Sequence, residues 1–291
     1  NLKNKKTDIL DSLDLTYSLQ KEEYKYTPLL KNVEKKFDLL KENKDQISQK
    51  SYEEVAKFVN SKFYLISVDG YFKSELSNIP PKVKIKKYSE LEREEKDTFE
   101  NMYQKHDDSK SDFFSSLNSI IHEDCLTISV NCNTVLKEHI TIININENYD
   151  VNNYRKMIFC DKGSEISIFE RFINLKSDEN FSSSVTEIYQ AENSKLNYYS
   201  TQDFKENYHF NNVNVFQKRD SVSNFFTVSF SGSIVRNNLN ICLHDKSCYT
   251  NMYGFYAMSD KSLIDNHTSV DHVDENSLSN EHYKGIMGGR S

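Results

Sequence analysis

Between residues 161 and 247 the chain returns to one short phrase four times: Asp161-Lys162-Gly163-Ser164, Glu192-Asn193-Ser194, Arg219-Asp220-Ser221 and Asp245-Lys246-Ser247. The four serines stand 30, 27 and 26 residues apart, and Asp260-Lys261-Ser262 follows after a shorter step of 15. Between these turns apolar and polar residues alternate, in Glu165 to Ile168, Val213 to Val215, Phe226 to Phe230 and Leu239 to Leu243. The same period of two appears earlier in Leu126 to Val130 and Ile140 to Ile145. Such alternation marks strands with one buried face. Strands punctuated at coil length predict a β-solenoid, in which no coil buries its apolar face alone and neighbours stack at ~4.8 Å around one core. A two-sheet sandwich has similar strands, but its turns fall every ~8–12 residues.

Upstream the periodicity differs. Ile9, Leu10, Leu13 and Tyr17, then Leu29, Leu30, Val33 and Phe37, recur at helical spacing between Thr7 and Asp38. Ser51 with Glu54 reads as a capping box opening a short helix through Val55 and Val59. The apolar run Phe63 to Val68 then meets Asp69-Gly70, a two-residue hairpin signal, before Tyr71-Phe72. The charged stretch from Ser89 to Lys105 reads as a helix with solvated faces. The expected organisation is an α-rich region with a small hairpin over 1–112, followed by a mainly β solenoid over 113–291.

Composition narrows the function classes. Of 291 residues, 37% are hydrophobic and 28% charged, with a mean hydropathy of −0.72, the signature of a folded, water-facing chain. The net charge is −7 and no Lys/Arg block tracks a phosphate backbone, which argues against nucleic acid as a partner. The apolar runs fall far short of the ~20 residues of a bilayer span, and the first residues form no apolar leader. Five cysteines without a C-x-x-C pair argue against a disulfide framework and fit a reducing, cytoplasmic setting.

Several stretches, in order along the chain, resemble the SufB/SufD family of the SUF iron–sulfur cluster assembly machinery. Glu22 to Leu29 is similar to its E-x-W-[RK]-Y-T segment, with Tyr24 in place of tryptophan. Phe58-Val59-Asn60 and Phe63 to Ser77 resemble its small hairpin unit, Phe113 to Asn118 its "f.aLN" entry to the β-helix, and Val135 to Ile140 its "v.ekPI" strand with His139 for proline. Gly232 to Leu239 resembles "gg.ivRnnl", with Asp245 where a glycine follows. Asp265 to His272 and Ser279 to Gly285 resemble "D.hT.v.H" and "S.elYKGi", with Glu275 and Ser277 replacing a proline and a cysteine. The resemblance implies a right-handed parallel β-helix behind a helical N-terminal region. It also implies a non-catalytic scaffold subunit that works with a SufB-like paralogue and the SufC ATPase. The short N-terminal region and the Tyr24-Lys25-Tyr26-Thr27 opening favour the SufD branch. The chain stops before the family's "C.HG.tvG" segment and its ATPase-docking helices. ATPase docking is therefore expected only of a longer chain, and self-association through open strand edges is expected of this one.

Several residues carry the chemistry of a site, and each also has a simpler role open to it. Cys242, His244 and Cys248 make a C-x-H-x3-C phrase near one turn, a soft-ligand set for zinc or an iron–sulfur centre. It lacks a fourth ligand, and strand neighbours on one face lie ~7 Å apart, so the expectation is no metal. Asp265, His267, Ser269 and Asp271 share one strand face and carry the residue types of a hydrolase triad. Their spacing is too wide for proton transfer, and a polar ladder is expected instead. His272 falls on the face opposite His267. Cys132 continues the face of Leu126, Ile128 and Val130 and reads as a core residue, as do Phe225, Phe226 and Phe230. No catalytic or metal residue is expected, and no stably bound cofactor. An iron–sulfur cluster would be met only transiently, in the complex. The alternatives are a polysaccharide-acting β-helix enzyme, for which Asp271, Asp274 and Glu275 lack a basic partner close in sequence, and a purely structural solenoid.

Overall fold

The computed structural model describes residues 48–59, 61–103, 113–122, 124–175, 179–204, 207–259 and 262–289. The helical reading of Thr7 to Asp38 and the segment Glu22 to Leu29 lie outside the described residues. The fold is a parallel β-solenoid of about five turns. Helices α1 (Gln49–Phe58), α2 (Arg93–Met102) and α3 (Phe113–Ile121) precede or flank it. The strands are β1 (Phe63–Val68), β2 (Tyr71–Phe72), β3 (Val83–Lys87), β4 (Leu126–Val130), β5 (Ile140–Asn146), β6 (Val151–Cys160), β7 (Glu165–Asn174) and β8 (Asn180–Gln190). They continue with β9 (Lys195–Gln202), β10 (Asn207–Gln217), β11 (Val222–Ser229), β12 (Ile234–Leu243), β13 (Tyr249–Met258), β14 (Leu263–His272) and β15 (Leu278–Met287).

Successive strands from β4 onward alternate between two sheets. One sheet runs β15-β13-β11-β9-β7-β5-β1-β2 and the other β14-β12-β10-β8-β6-β4-β3. All pairings are parallel except β1 with β2 and β3 with β4, and these two antiparallel strands cover the first edge of each sheet. Asp69 (φ 52) and Gly70 (φ 90) form the predicted hairpin turn, where a Cβ on Gly70 would stand 2.3 Å from the Asn153 carbonyl oxygen.

The coil repeat is more regular than the serines suggest. Each turn from the second sheet to the first contains one residue in the left-handed region: Asn133, Gly163, Asn193, Asp220, Ser247 and Asn276, with φ between 57° and 66°. They recur at 30, 30, 27, 27 and 29 residues, and five of the six are types that carry a positive φ at least as the short polar exceptions do. The next residue points into the core: Ser164, Ser194 and Ser221 are buried, and so is Cys248. Cys248, not Ser247, is thus the repeat's fourth member. The 15-residue step belongs to the opposite turn, between β13 and β14.

Inside the solenoid, register makes ladders. Ile128, Ile158, Ile188, Val215, Ile241 and Val270 lie in one row through the second sheet. Truncating one such isoleucine to alanine costs about 2–5 kcal/mol. Facing them are Ile140, Ile168, Tyr198, Phe225 and Met252. Near the C-terminal coils two aromatic rings lie over glycines reciprocally. Gly254 pairs with Tyr283 and Tyr256 with Gly285, which gives the Tyr283-Lys284-Gly285 phrase its physical reason.

Helices α2 and α3 cover the outer face of the second sheet, while α1 packs Val55 on Ile66, Val68, Ile143 and Ile145 of the first. α3 lays Phe113 and Phe114 on Phe181, Tyr208 and Phe210, with Phe114 and Phe210 stacked at 3.7 Å. Asn118 donates to the Tyr154 carbonyl at 3.4 Å and the Ser183 carbonyl at 3.2 Å. Alternation therefore begins at Leu126, and residues 113–121 are helix. α2 buries Phe99 and is less solvated than its charges suggest, while Ser51 lies inside α1 rather than opening it. The outer face of the first sheet carries an asparagine ladder, Asn197, Asn224, Asn251 and Asn280, each bonded to its neighbour at 2.7–3.1 Å. Beside it run Tyr199, Phe226 and Tyr253, all more than a third exposed. Phe225 is core, as expected. Phe226 points to the other face, and Phe230 lies past the strand end, so both are exposed. Cys132 is exposed for a similar reason: β4 ends at Val130 and the turn has begun.

Candidate functional site

The solenoid separates the C-x-H-x3-C residues. Leu239 and Ile241 face inward with Leu243, so Cys242 faces outward, beside the cluster formed by Tyr189 and Phe216. His244 lies at the rim, its ring 4.6 Å from that of Phe216 and its Nδ1 2.8 Å from Asp245. Cys248 points the other way, into the core, and its Sγ–H meets the backbone carbonyls of Asp245 at 3.1 Å and Lys218 at 3.3 Å. Burial raises its thiol pKa. Among the described residues no three His, Cys, Asp or Glu side chains converge on a metal-sized point.

The polar face of β14 keeps Asp265, His267, Ser269 and Asp271 on one outward side, in register with Arg236, Asn238, Asn240 and Cys242. Asp265 is drawn to Arg236 of the preceding coil, its oxygen 2.5 Å from Nη1. His272, on the inner face, shares a 3.0 Å hydrogen bond with Ser279. Glu275 does gain a basic partner that sequence distance hid: Lys246, one coil earlier, at 2.5 Å. Both side chains are exposed, an ion pair of small energetic weight.

The densest electrostatic arrangement went unread in the sequence. β6 is buried at every position but Phe159, yet carries Arg155 and Lys156 side by side. Alternation sends them to opposite faces. Lys156 enters the solenoid, where its Nζ lies 2.8 Å from Glu170 and 3.1 Å from Ser184 Oγ, with the rings of Phe172 and Tyr154 at 5.7 and 5.8 Å. Glu170 also accepts from Asn144 at 2.6 Å and from the Tyr198 hydroxyl. Burial raises the Tyr198 pKa well above that of a free phenol. One coil on, His209 is fully buried, with Ser182 Oγ 2.7 Å from Nδ1 and the Phe172 and Phe204 rings at 4.6 and 4.8 Å. Burial, aided by the Lys156 charge, lowers its pKa to about 3 and keeps the ring neutral. Arg155 goes to the outer face, pairing with Glu187 and donating to Ser119 Oγ of α3 at 2.8 Å. The sequence signal was available: two cations in mid-strand, next to Tyr154 and Met157, cannot both be solvated.

Chemically, this network is closed. Glu170 has its oxygens engaged by three donors and Lys156 is 2% exposed, so the pair acts as an internal tie between the sheets.

A parallel β-solenoid carrying α2 and α3 on one sheet and α1 on the other, with a small hairpin unit at its first edge, defines a structural class of coil-repeat proteins. Family comparison makes it specific. The family model described as "SUF system FeS cluster assembly, SufBD core domain" matches residues 142–291, and that for the "SufBD protein N-terminal region" matches residues 11–142. The chain belongs to the SufB/SufD family. A search of curated proteins gives no match.

Proposed function

We propose that the chain is a SufD-type, non-catalytic scaffold subunit that assists de novo iron–sulfur cluster assembly together with a SufB-like paralogue and the SufC ATPase. The family's place in SUF cluster assembly is the coarser fact. The observation that supports the finer reading is that the N-terminal and core regions of the family match in order along the chain, and that the described residues of the core region form one continuous solenoid. The split C-x-H-x3-C residues and the closed Lys156–Glu170 pair support a subunit that turns over no substrate and holds no resident metal. The cluster, in this reading, is cargo met in the assembled complex. The odd set of free thiols, with no paired cysteines, supports a cytoplasmic setting. No helix among the described residues is long and apolar enough to cross a membrane.

The test is co-expression of the tagged chain with the SufB-like and SufC subunits of its own host, followed by affinity purification and cluster reconstitution. The expected result is recovery of the SufB-like subunit with the chain, and faster cluster formation on the complex than on either subunit alone. A chain that recovers neither partner, or a complex that builds clusters equally well without it, would overturn the scaffold reading.

A further inference from the structure

On the outer face of the second sheet an aromatic row lacks one rung. Phe216, Tyr189 and Phe159 occupy equivalent positions on β10, β8 and β6. Their centroids are 6.2 and 5.7 Å apart, and the Phe159 and Tyr189 planes lie within 18° of parallel. The next position in register, on β4, is Ser129, whose own neighbour on β3 is Lys84. The row therefore ends on the face of Phe159, which is half-buried where Tyr189 and Phe216 are buried. Above this point lies a cleft of about 480 Å³, roofed by Phe99 and Met102 of α2. That volume lies within the ~300–1,000 Å³ of small-molecule pockets.

The mouth of the cleft is cationic. Lys84 and Lys86 share one lining carboxylate, Glu95, at 3.7 and 2.8 Å, and Glu90 and Glu92 act on Lys86 from outside the lining. Lys218 adds a third ammonium against one further acid, Asp161. A ring inserted over Ser129 would continue the stack at the spacing that aromatic pairs prefer, ~4.5–7 Å. An acidic substituent on that ring would reach Lys84 and Lys86, where a charge-assisted contact is stronger than a neutral one.

We propose that this cleft is a binding site for a small aromatic anion, a ring carrying a sulfonate, carboxylate or phosphate, which completes the aromatic row over Ser129 and pairs with the lysines of β3. The site lies on the opposite side of the strands from the Lys156–Glu170 network and is independent of the scaffold reading.

The probes are 1-anilinonaphthalene-8-sulfonate, followed by fluorescence, and naphthalene-1-sulfonate as its competitor, with the neutral 1-naphthalenemethanol as control. The full chain should bind one probe per molecule saturably, with the neutral control at least fivefold weaker. Ser129→Phe supplies the missing rung from the protein itself and should weaken probe binding tenfold or more while leaving the melting temperature unchanged or higher. Lys84→Glu, at an exposed position, should weaken the anion but not the neutral control. The Met102 methyl resonance should shift on titration in wild type only. Equal probe affinity in wild type and Lys84→Glu, or an unmoved Met102 methyl, would overturn the proposal. Were Ser129→Phe to misfold, the Lys84→Glu and Met102 readouts decide it alone.

Discussion

Removing the Lys156 ammonium tests whether the closed ion pair ties the two sheets together. Lys156→Met keeps the length and most of the apolar stem but leaves the Glu170 carboxylate inside the solenoid, at 0% exposure, with only Asn144 and Tyr198 as donors. Breaking one side of a buried pair costs about 3–5 kcal/mol, because a charge is left uncompensated where water cannot reach it. For a chain of this size each kcal/mol moves the melting temperature by roughly 2–4 °C, so a drop of about 6–20 °C is expected. Removing the charge as well, in Lys156→Met/Glu170→Gln, leaves a neutral amide that still accepts from Tyr198, and most of the loss should return. Urea denaturation of the four proteins of this cycle, followed by far-ultraviolet circular dichroism, gives the coupling, expected at about 2 kcal/mol or more. A pair shielded this well should also be insensitive to salt between roughly 0.1 and 0.5 M. A single substitution costing under about 1 kcal/mol, or a double variant as unstable as the sum of the two singles, would refute the claim.

His209, held neutral with a pKa of about 3 against an ordinary 6.5, ties stability to pH: the unfolded chain takes up a proton near 6.5 that the folded one refuses. Stability from this site is complete above pH 6.5 and is lost as pH falls to about 3, by several kcal/mol at most. In His209→Gln the denaturation midpoint should fall less steeply across that window than in wild type. Native-state titration with a disulfide reagent at pH 8 should label Cys132 first and Cys242 more slowly. Cys125, Cys160 and Cys248 should wait for unfolding, since burial pushes Cys160 up to about 12 and raises the other two. Cys248→Ser should shift stability by less than about 1 kcal/mol, because serine already fills the equivalent inward position in other coils. Gly254→Ala puts a Cβ 2.0 Å from the Tyr283 ring and should lower stability by ~1–3 kcal/mol through overpacking, read from urea denaturation, with partial rescue by Tyr283→Leu.

The repeat was legible because a solenoid writes its geometry into the chain once per coil. Positive-φ turns admit few residue types, and strands with one inward face alternate. The misreadings came where period-two logic was carried past the end of a strand. Cys132 and Phe230 continue an alternation on paper, but β4 and β11 have already ended, and a turn turns its side chains outward. Phe226 faces outward beside the inward Phe225, because adjacent strand residues cannot both face the core. The serine spacing came close to the true period and slipped by one at Ser247, since the turn's left-handed residue and the inward residue after it are both small and polar in most coils. Glu275 with Lys246 shows the limit of reading partners from sequence distance: coil stacking makes residues 29 apart into neighbours.

Adjacent cations in β6 explain how the layers of this protein are joined. Lys156 and Arg155 are one residue apart and must leave the strand on opposite sides. Lys156 crosses the interior to Glu170 on β7, fastening sheet to sheet, while Arg155 meets Glu187 on β8 and Ser119 on α3, fastening sheet to helix. The Arg155 guanidinium also lies 4.6 Å from the ring of Tyr103, just beyond the end of α2. One strand thus anchors both halves of the solenoid and the helices that cover it. The helical layer could otherwise detach from a repeat stack, whose coils contact only their neighbours. Arg155→Met should therefore loosen α2 and α3 before it loosens the coils, visible as amide exchange that speeds up at Phe99 and Phe114 while Ile188 and Val215 stay protected. Uniform loss of protection across both sets would mean that helices and solenoid unfold as one unit and that Arg155 is no junction.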